Sequence, residues 1–154
     1  NPPDLADRLQ RVGDAWRTAF PFYQQAVEYM REASEKAEET PVFYAFWWSG
    51  NGTSPTRREH LRREGLYLES MALAGREIGI HFSLNALYEK VNRDPAAYTQ
   101  QAKELLLEDI LACNEAAKLF DRLKNQGDDK MKDRNWSALY RAKADRIKRY
   151  LESS

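Results

Sequence analysis

From Leu5 onward, apolar and small residues recur as Leu5, Leu9, Val12, Trp16, Ala19, Tyr23, Ala26, Met30, Ala33 and Ala37, in alternating steps of four and three. Such steps put every member on one stripe of an α-helix, and the seven-residue repeat makes that stripe a seam for a second helix. Nowhere does the chain alternate apolar and polar residues between turn signals, as a half-buried strand would. The pattern therefore predicts an all-α fold. Pro21 falls off the seam, where it removes one backbone donor and crowds the preceding turn, so a helix over 5–38 is expected to bend near Phe20 rather than stop.

Proline, glycine and capping residues divide the rest. Thr40 as N-cap, Pro41 at the first helical position and Gly50 as terminator frame a short helix with five aromatic residues, Phe43, Tyr44, Phe46, Trp47 and Trp48. Asn51 to Pro55 then makes a turn, with Ser54 as N-cap and Pro55 opening a helix over 55–91. After a polar start, Leu66, Leu68, Met71, Leu73, Ile78, Ile80, Phe82, Leu84, Leu87 and Val91 surround that helix, which suits a central position. Gly65, Ala72, Gly75, Gly79 and Ala86 recur on it at three and four. Each glycine costs about 1 kcal/mol of helix propensity relative to alanine, so a close backbone is expected there, from the same chain or from a second copy in a homodimer through Gly65, Gly75 and Gly79.

Asp94-Pro95 repeats the cap-then-proline signature and opens a helix over 95–125, closed by Gly127. Tyr98, Ala102, Leu105, Leu106, Ile110, Cys113, Ala117, Phe120 and Leu123 form its apolar face, with Glu104, Glu108, Asp109 and Glu115 read as lying opposite. The last helix, to about Leu151, carries a stripe of Trp136, Tyr140, Ala144, Ile147 and Leu151, with Leu139 and Tyr150 beside it. Short connections between long helices predict one antiparallel bundle of four long helices over 1–154, with the aromatic helix crossing an end or lying along a side.

Twenty-four basic and twenty-four acidic side chains leave no net charge, so no global field draws the molecule to nucleic acid or anionic lipid. No apolar run approaches the length of a membrane span. The lone Cys113, among Ala112, Ala116 and Ala117, reads as a small buried hydrophobe and favours a reducing, cytoplasmic setting. The sequons at Asn51 and Asn135 point instead to secretion.

Chemistry is sparse. A di-metal carboxylate bundle needs inward Glu-x-x-His motifs, and none is present. Glu77 and His81 sit four apart without a second such pair, and His81, among Ile80, Phe82 and Leu84, reads as a core or boundary residue; His60 reads as exposed. No nucleophile elbow or phosphate loop is set up. No catalytic residue, metal or cofactor is expected, and the chain reads as a non-catalytic interaction domain. The alternatives are a small helical enzyme or ligand carrier with an enclosed polar pocket around His81, and a helical accessory domain of a larger secreted protein.

Two surfaces qualify for contact with a protein or peptide partner. Adjacent indoles on a helix point about 100° apart, so Phe43, Tyr44, Trp47 and Trp48 cover more circumference than a short peripheral helix can hide. From Asp129 to Ser154, eight basic residues stand against four acidic ones, including Arg141 and Lys148. In two places the chain resembles the microtubule-interacting-and-transport (MIT) domain, a three-helix module. Asp14-Ala15-Trp16 with Tyr23-Gln24-Gln25-Ala26-Val27-Glu28-Tyr29-Met30 is similar to its second helix, and the run from Arg141 to Leu151 to its third. The resemblance implies binding of short tails of membrane-remodelling, trafficking or autophagy proteins. It also implies a peptide groove at or near Ala144, Ile147, Lys148 and Leu151.

Overall fold

The computed structural model describes residues 3–37, 56–125 and 135–154. They form four helices, α1 (Leu5–Lys36), α2 (Arg57–Val91), α3 (Pro95–Asn125) and α4 (Trp136–Ser153), with no strand among the described residues. The all-α bundle is as expected. The aromatic segment 41–50 and the turn after it lie outside the described residues.

Side-chain caps set the starts. The Thr56 hydroxyl accepts the Glu59 N–H at 3.2 Å, and the Thr56 N–H donates to the Glu59 carboxylate at 3.4 Å, a reciprocal capping box. α2 therefore begins at Arg57, not at 55: a cap at Ser54 would put Arg57 at the third helical position, and a guanidinium has no acceptor to close the box. Asp94 Oδ1 takes the Ala97 N–H at 3.2 Å before α3, and Asn135 Oδ1 takes the Ala138 N–H at 3.2 Å before α4. α1 runs unbroken through Pro21, which sits on its exposed side.

Successive helices pack antiparallel, α1 on α2, α2 on α3 and α3 on α4. α1 and α4 take opposite sides of the α2–α3 pair, so the four helices do not close into a square. Neighbouring residues, turned about 100° apart, show this directly. Arg76 reaches toward the α1 side, over the Phe20 ring at 5.4 Å and to Glu115 at 2.7 Å, whereas Glu77 binds Lys143 of α4. On α3, Glu108 meets Arg17 of α1 at 3.4 Å, whereas Asp109 faces Lys143.

The α1 seam is rotated from the one read in the sequence. Leu9, Trp16, Tyr23, Met30 and Ala37 are half-buried as expected, but the innermost positions are Ala6, Gly13, Val27 and Ser34. Val12 is 39% exposed and Ala33 lies outside. At Gly13 and Ser34 the cause is size: a close approach to α2 excludes larger side chains, and a search for apolar residues passes over glycine and serine. A Cβ on Gly13 would lie 2.9 Å from the Gly79 carbonyl oxygen, and one on Gly79 would lie 2.9 Å from Trp16 Cβ. Gly75 accepts the Trp16 ring and Gly65 lies against Met30. The glycine seam is thus filled by α1 of the same chain, which removes it as a face for a second copy.

On its other side α2 meets α3 through Ile80, Leu87, Leu105 and Ala112, and through Leu66 and Leu73 against Ala116, Leu119, Phe120 and Leu123. α4 closes on α3 through Ile110, Cys113, Ala144, Ile147 and Leu151. Trp136 and Tyr140 stack on Phe120, with ring centroids 6.2 Å and 5.7 Å apart.

Candidate functional site

α3 lies between α2 and α4, and Asp109 falls at the centre of its buried face. It is one turn from Leu105 and one turn from Cys113, so it shares their side of the helix. The reading of Asp109 as an outward residue is overturned: it is fully buried. Glu77 of α2 is buried beside it, and Lys143 of α4, 26% exposed by side chain, closes the group. The Lys143 ammonium donates to Glu77 Oε1 and stands 3.4 Å from Asp109 Oδ2. The Cys113 thiol donates to Asp109 Oδ1 at 3.7 Å. Asp109 Oδ2 accepts no hydrogen bond from the described residues.

Burial governs the protonation of this group. It pushes the Asp109 carboxyl up to about 6, against the thiol's hydrogen bond, which lowers it, and with Glu108 adding to the rise. The Cys113 thiol is pushed up to about 12 by burial first and by Asp109 second. Tyr140 is raised by burial, then by Cys113 and Asp109. The Lys143 ammonium is lowered by burial and by Arg146. Cys113 is therefore an inert thiol, not a ready nucleophile.

The second surface is the outer side of α4. Leu139 and Tyr150 are 59% and 62% exposed, and Arg146 lies between them on the same stripe, since steps of seven and four return to within about 40° on a helix. Lys148 and Arg149 are exposed further round. Two of the residues expected in a peptide groove are elsewhere. Ala144 and Ile147 are core, packed on α3, and Leu151 packs half-buried beside them; the apolar stripe of a five-turn helix is consumed by its own neighbour. Arg141 is exposed and pairs with Asp121, whose carboxyl the guanidinium holds below its usual range. Lys148 remains exposed. Phe43, Tyr44, Trp47 and Trp48 lie outside the described residues.

His81 is exposed and shares a hydrogen bond with Asn85 at 3.2 Å, so it is neither a core residue nor the centre of an enclosed pocket. His60 is half-buried rather than exposed. The buried Glu77–Asp109–Cys113–Lys143 group was missed because its members come from three helices. The one available signal was the i, i+4 spacing of Leu105, Asp109 and Cys113, which marks a charge on an apolar stripe.

No described helix is long and apolar enough to cross a membrane. No family model, curated protein or solved structure matches the chain. The likeness to the MIT domain rests on the two sequence runs alone.

Proposed function

We propose that this chain is a non-catalytic helical interaction domain that takes an acidic amphipathic peptide on the outer stripe of α4. The observation that carries this is the pairing of two large exposed apolar side chains, Leu139 and Tyr150, with Arg146 between them on a helix rich in exposed cations. An amphipathic helix with acidic flanks satisfies both, its apolar anchors on Leu139 and Tyr150 and its carboxylates on Arg146 and Arg149. On the MIT likeness, the partner class is the tail of a membrane-remodelling or trafficking protein in the cytoplasm. A chain whose lone cysteine, Cys113, is buried in the core accords with that compartment.

The test is a capture from native extract with wild type and with Leu139→Ser/Tyr150→Ser, read by mass spectrometry. Proteins held by wild type and lost from the variant, with the melting temperature unchanged, support the reading. Identical recoveries overturn it.

A further inference from the structure

We infer that Glu77, Asp109 and Cys113 form a binding site for a thiophilic divalent metal ion of the Zn2+ class, which displaces the Lys143 ammonium on entry. One ligand atom from each of the three, all buried, lies within 4.8 Å of the others. They come from two helices held by the core on both sides, so their convergence does not depend on a loop.

Three observations point to a cation. The fully buried Asp109 aims Oδ2 into the cluster and no hydrogen bond is donated to it. A buried acceptor without a donor is costly, and a metal bond is one of few ways to satisfy it. Two carboxylates share one ammonium, so the group already holds a cation and has more acidic groups than cations to balance them. The donors are mixed as well. Calcium and magnesium take oxygen ligands, whereas a thiolate with carboxylates suits zinc.

Tetrahedral zinc separates its ligand atoms by about 3.5 Å, so the three must draw in by about 1 Å. Lys143 is partly exposed and reaches the group from the surface, so its departure opens both the route for the ion and the fourth position, which water takes. The Cys113 proton leaves to solvent as the sulfur–metal bond forms, and the ammonium stays charged outside.

The full-length chain is titrated with Co2+ as the spectroscopic probe and Zn2+ as competitor. Wild type is expected to develop a thiolate-to-cobalt charge-transfer band that Zn2+ removes. Cys113→Ser should abolish the band, and the isosteric Glu77→Gln should weaken Co2+ binding by about tenfold or more while the circular dichroism spectrum is kept. Lys143→Gln should tighten binding, because the resident cation no longer competes. A folded wild type without the band overturns the proposal. So does Co2+ binding as tight in Glu77→Gln as in wild type, and so does binding seen only in Lys143→Gln, which would assign the cluster to the ammonium.

Discussion

Against α1, the α2–α3 pair keeps its charges at the rim. Arg17 meets Glu108 and Arg76 meets Glu115 there, while Gly13, Gly79 and the Trp16 ring fill the interior. Against α4 the arrangement is reversed, with Glu77, Asp109 and Lys143 inside and aliphatic and aromatic contacts with α3 around them. A single residue step on each helix, from Arg76 to Glu77 and from Glu108 to Asp109, selects between the two. Backbone separation makes the difference. Where α1 and α2 touch through glycine no charged side chain fits, whereas α4 approaches α3 more closely than α2 and leaves a gap that a long lysine spans.

The comparison breaks most readily at Lys143. Its replacement by methionine leaves two buried carboxylates facing each other without a cation, and removal of one partner from a buried ionic group costs several kcal/mol. Partial exposure of Lys143 and the readily protonated Asp109 temper this to about 3 kcal/mol at neutral pH. That corresponds to a fall in melting temperature of about 6–12 °C. Adding Glu77→Gln to Lys143→Met should restore much of the loss. A double variant no more stable than the single one would show that Lys143 acts through packing.

On the α1 side the corresponding weak point is space. Gly13→Ala gains about 1 kcal/mol of helix propensity. It also sets a methyl group 2.4 Å from the Ser83 hydroxyl, which can turn away, and 2.9 Å from the Gly79 carbonyl oxygen, which cannot. Overpacking of this kind costs about 1–3 kcal/mol, so denaturant titration is expected to show a net loss of up to about 2 kcal/mol. A gain in stability would mean that α1 and α2 are not in close contact at this crossing.

These two sides differed in how far the sequence disclosed them. The glycine spacing on α2 announced a close neighbour, and Leu9, Trp16 and Met30 were placed correctly because large apolar residues mark their own face. The other half of the α1 seam was off by one position, since Gly13 and Ser34 are buried for being small and carry no apolar signal. The helix limit at Asp94 was legible from capping chemistry, whereas the start of α4 behind Asn135 was left open and the start of α2 required the Thr56–Glu59 pair to be weighed against Ser54-Pro55. Asp109 was misplaced for a different reason. A lone carboxylate is assigned to solvent by default, and its partners are 32 residues before it on α2 and 34 after it on α4, positions that only the packed fold brings together.

Acidity sharpens the same contrast. Because burial raises the Asp109 carboxyl from 3.8 to about 6, the folded state holds a proton there that the unfolded chain releases over the interval between those values. The stabilisation this proton brings is complete below about 4 and is lost as pH rises through about 6. The slope is at most about 1.4 kcal/mol per pH unit, falling with rising pH. Equilibrium unfolding of wild type and Asp109→Asn across pH 4–7 isolates it, since the remaining carboxylates cancel in the difference. Equal profiles would place Asp109 in a far wetter setting than its neighbours Cys113, Glu77, Lys143 and Tyr140 provide.

The smallest effect belongs to Arg17, and it is the sharpest control. Its guanidinium lies 3.4 Å from Glu108, and both side chains are about two-fifths exposed, at 39% and 42%. Water screens such a pair, and fixing two long side chains offsets most of what attraction remains, so Arg17→Ala should cost about 0.5 kcal/mol or less. A double-mutant cycle on Arg17 and Glu108 should give a coupling that vanishes in high salt, whereas the cycle on Lys143 and Glu77 should retain most of its coupling there, because ions of the solvent do not reach between buried charges. Each pair joins one cation to one carboxylate across two helices, and on the α4 side Asp109 adds a second carboxylate to the same ammonium. Equal couplings with equal salt dependence would mean that the α4 side is as open to water as the α1 rim, and the distinction between the two faces would be lost.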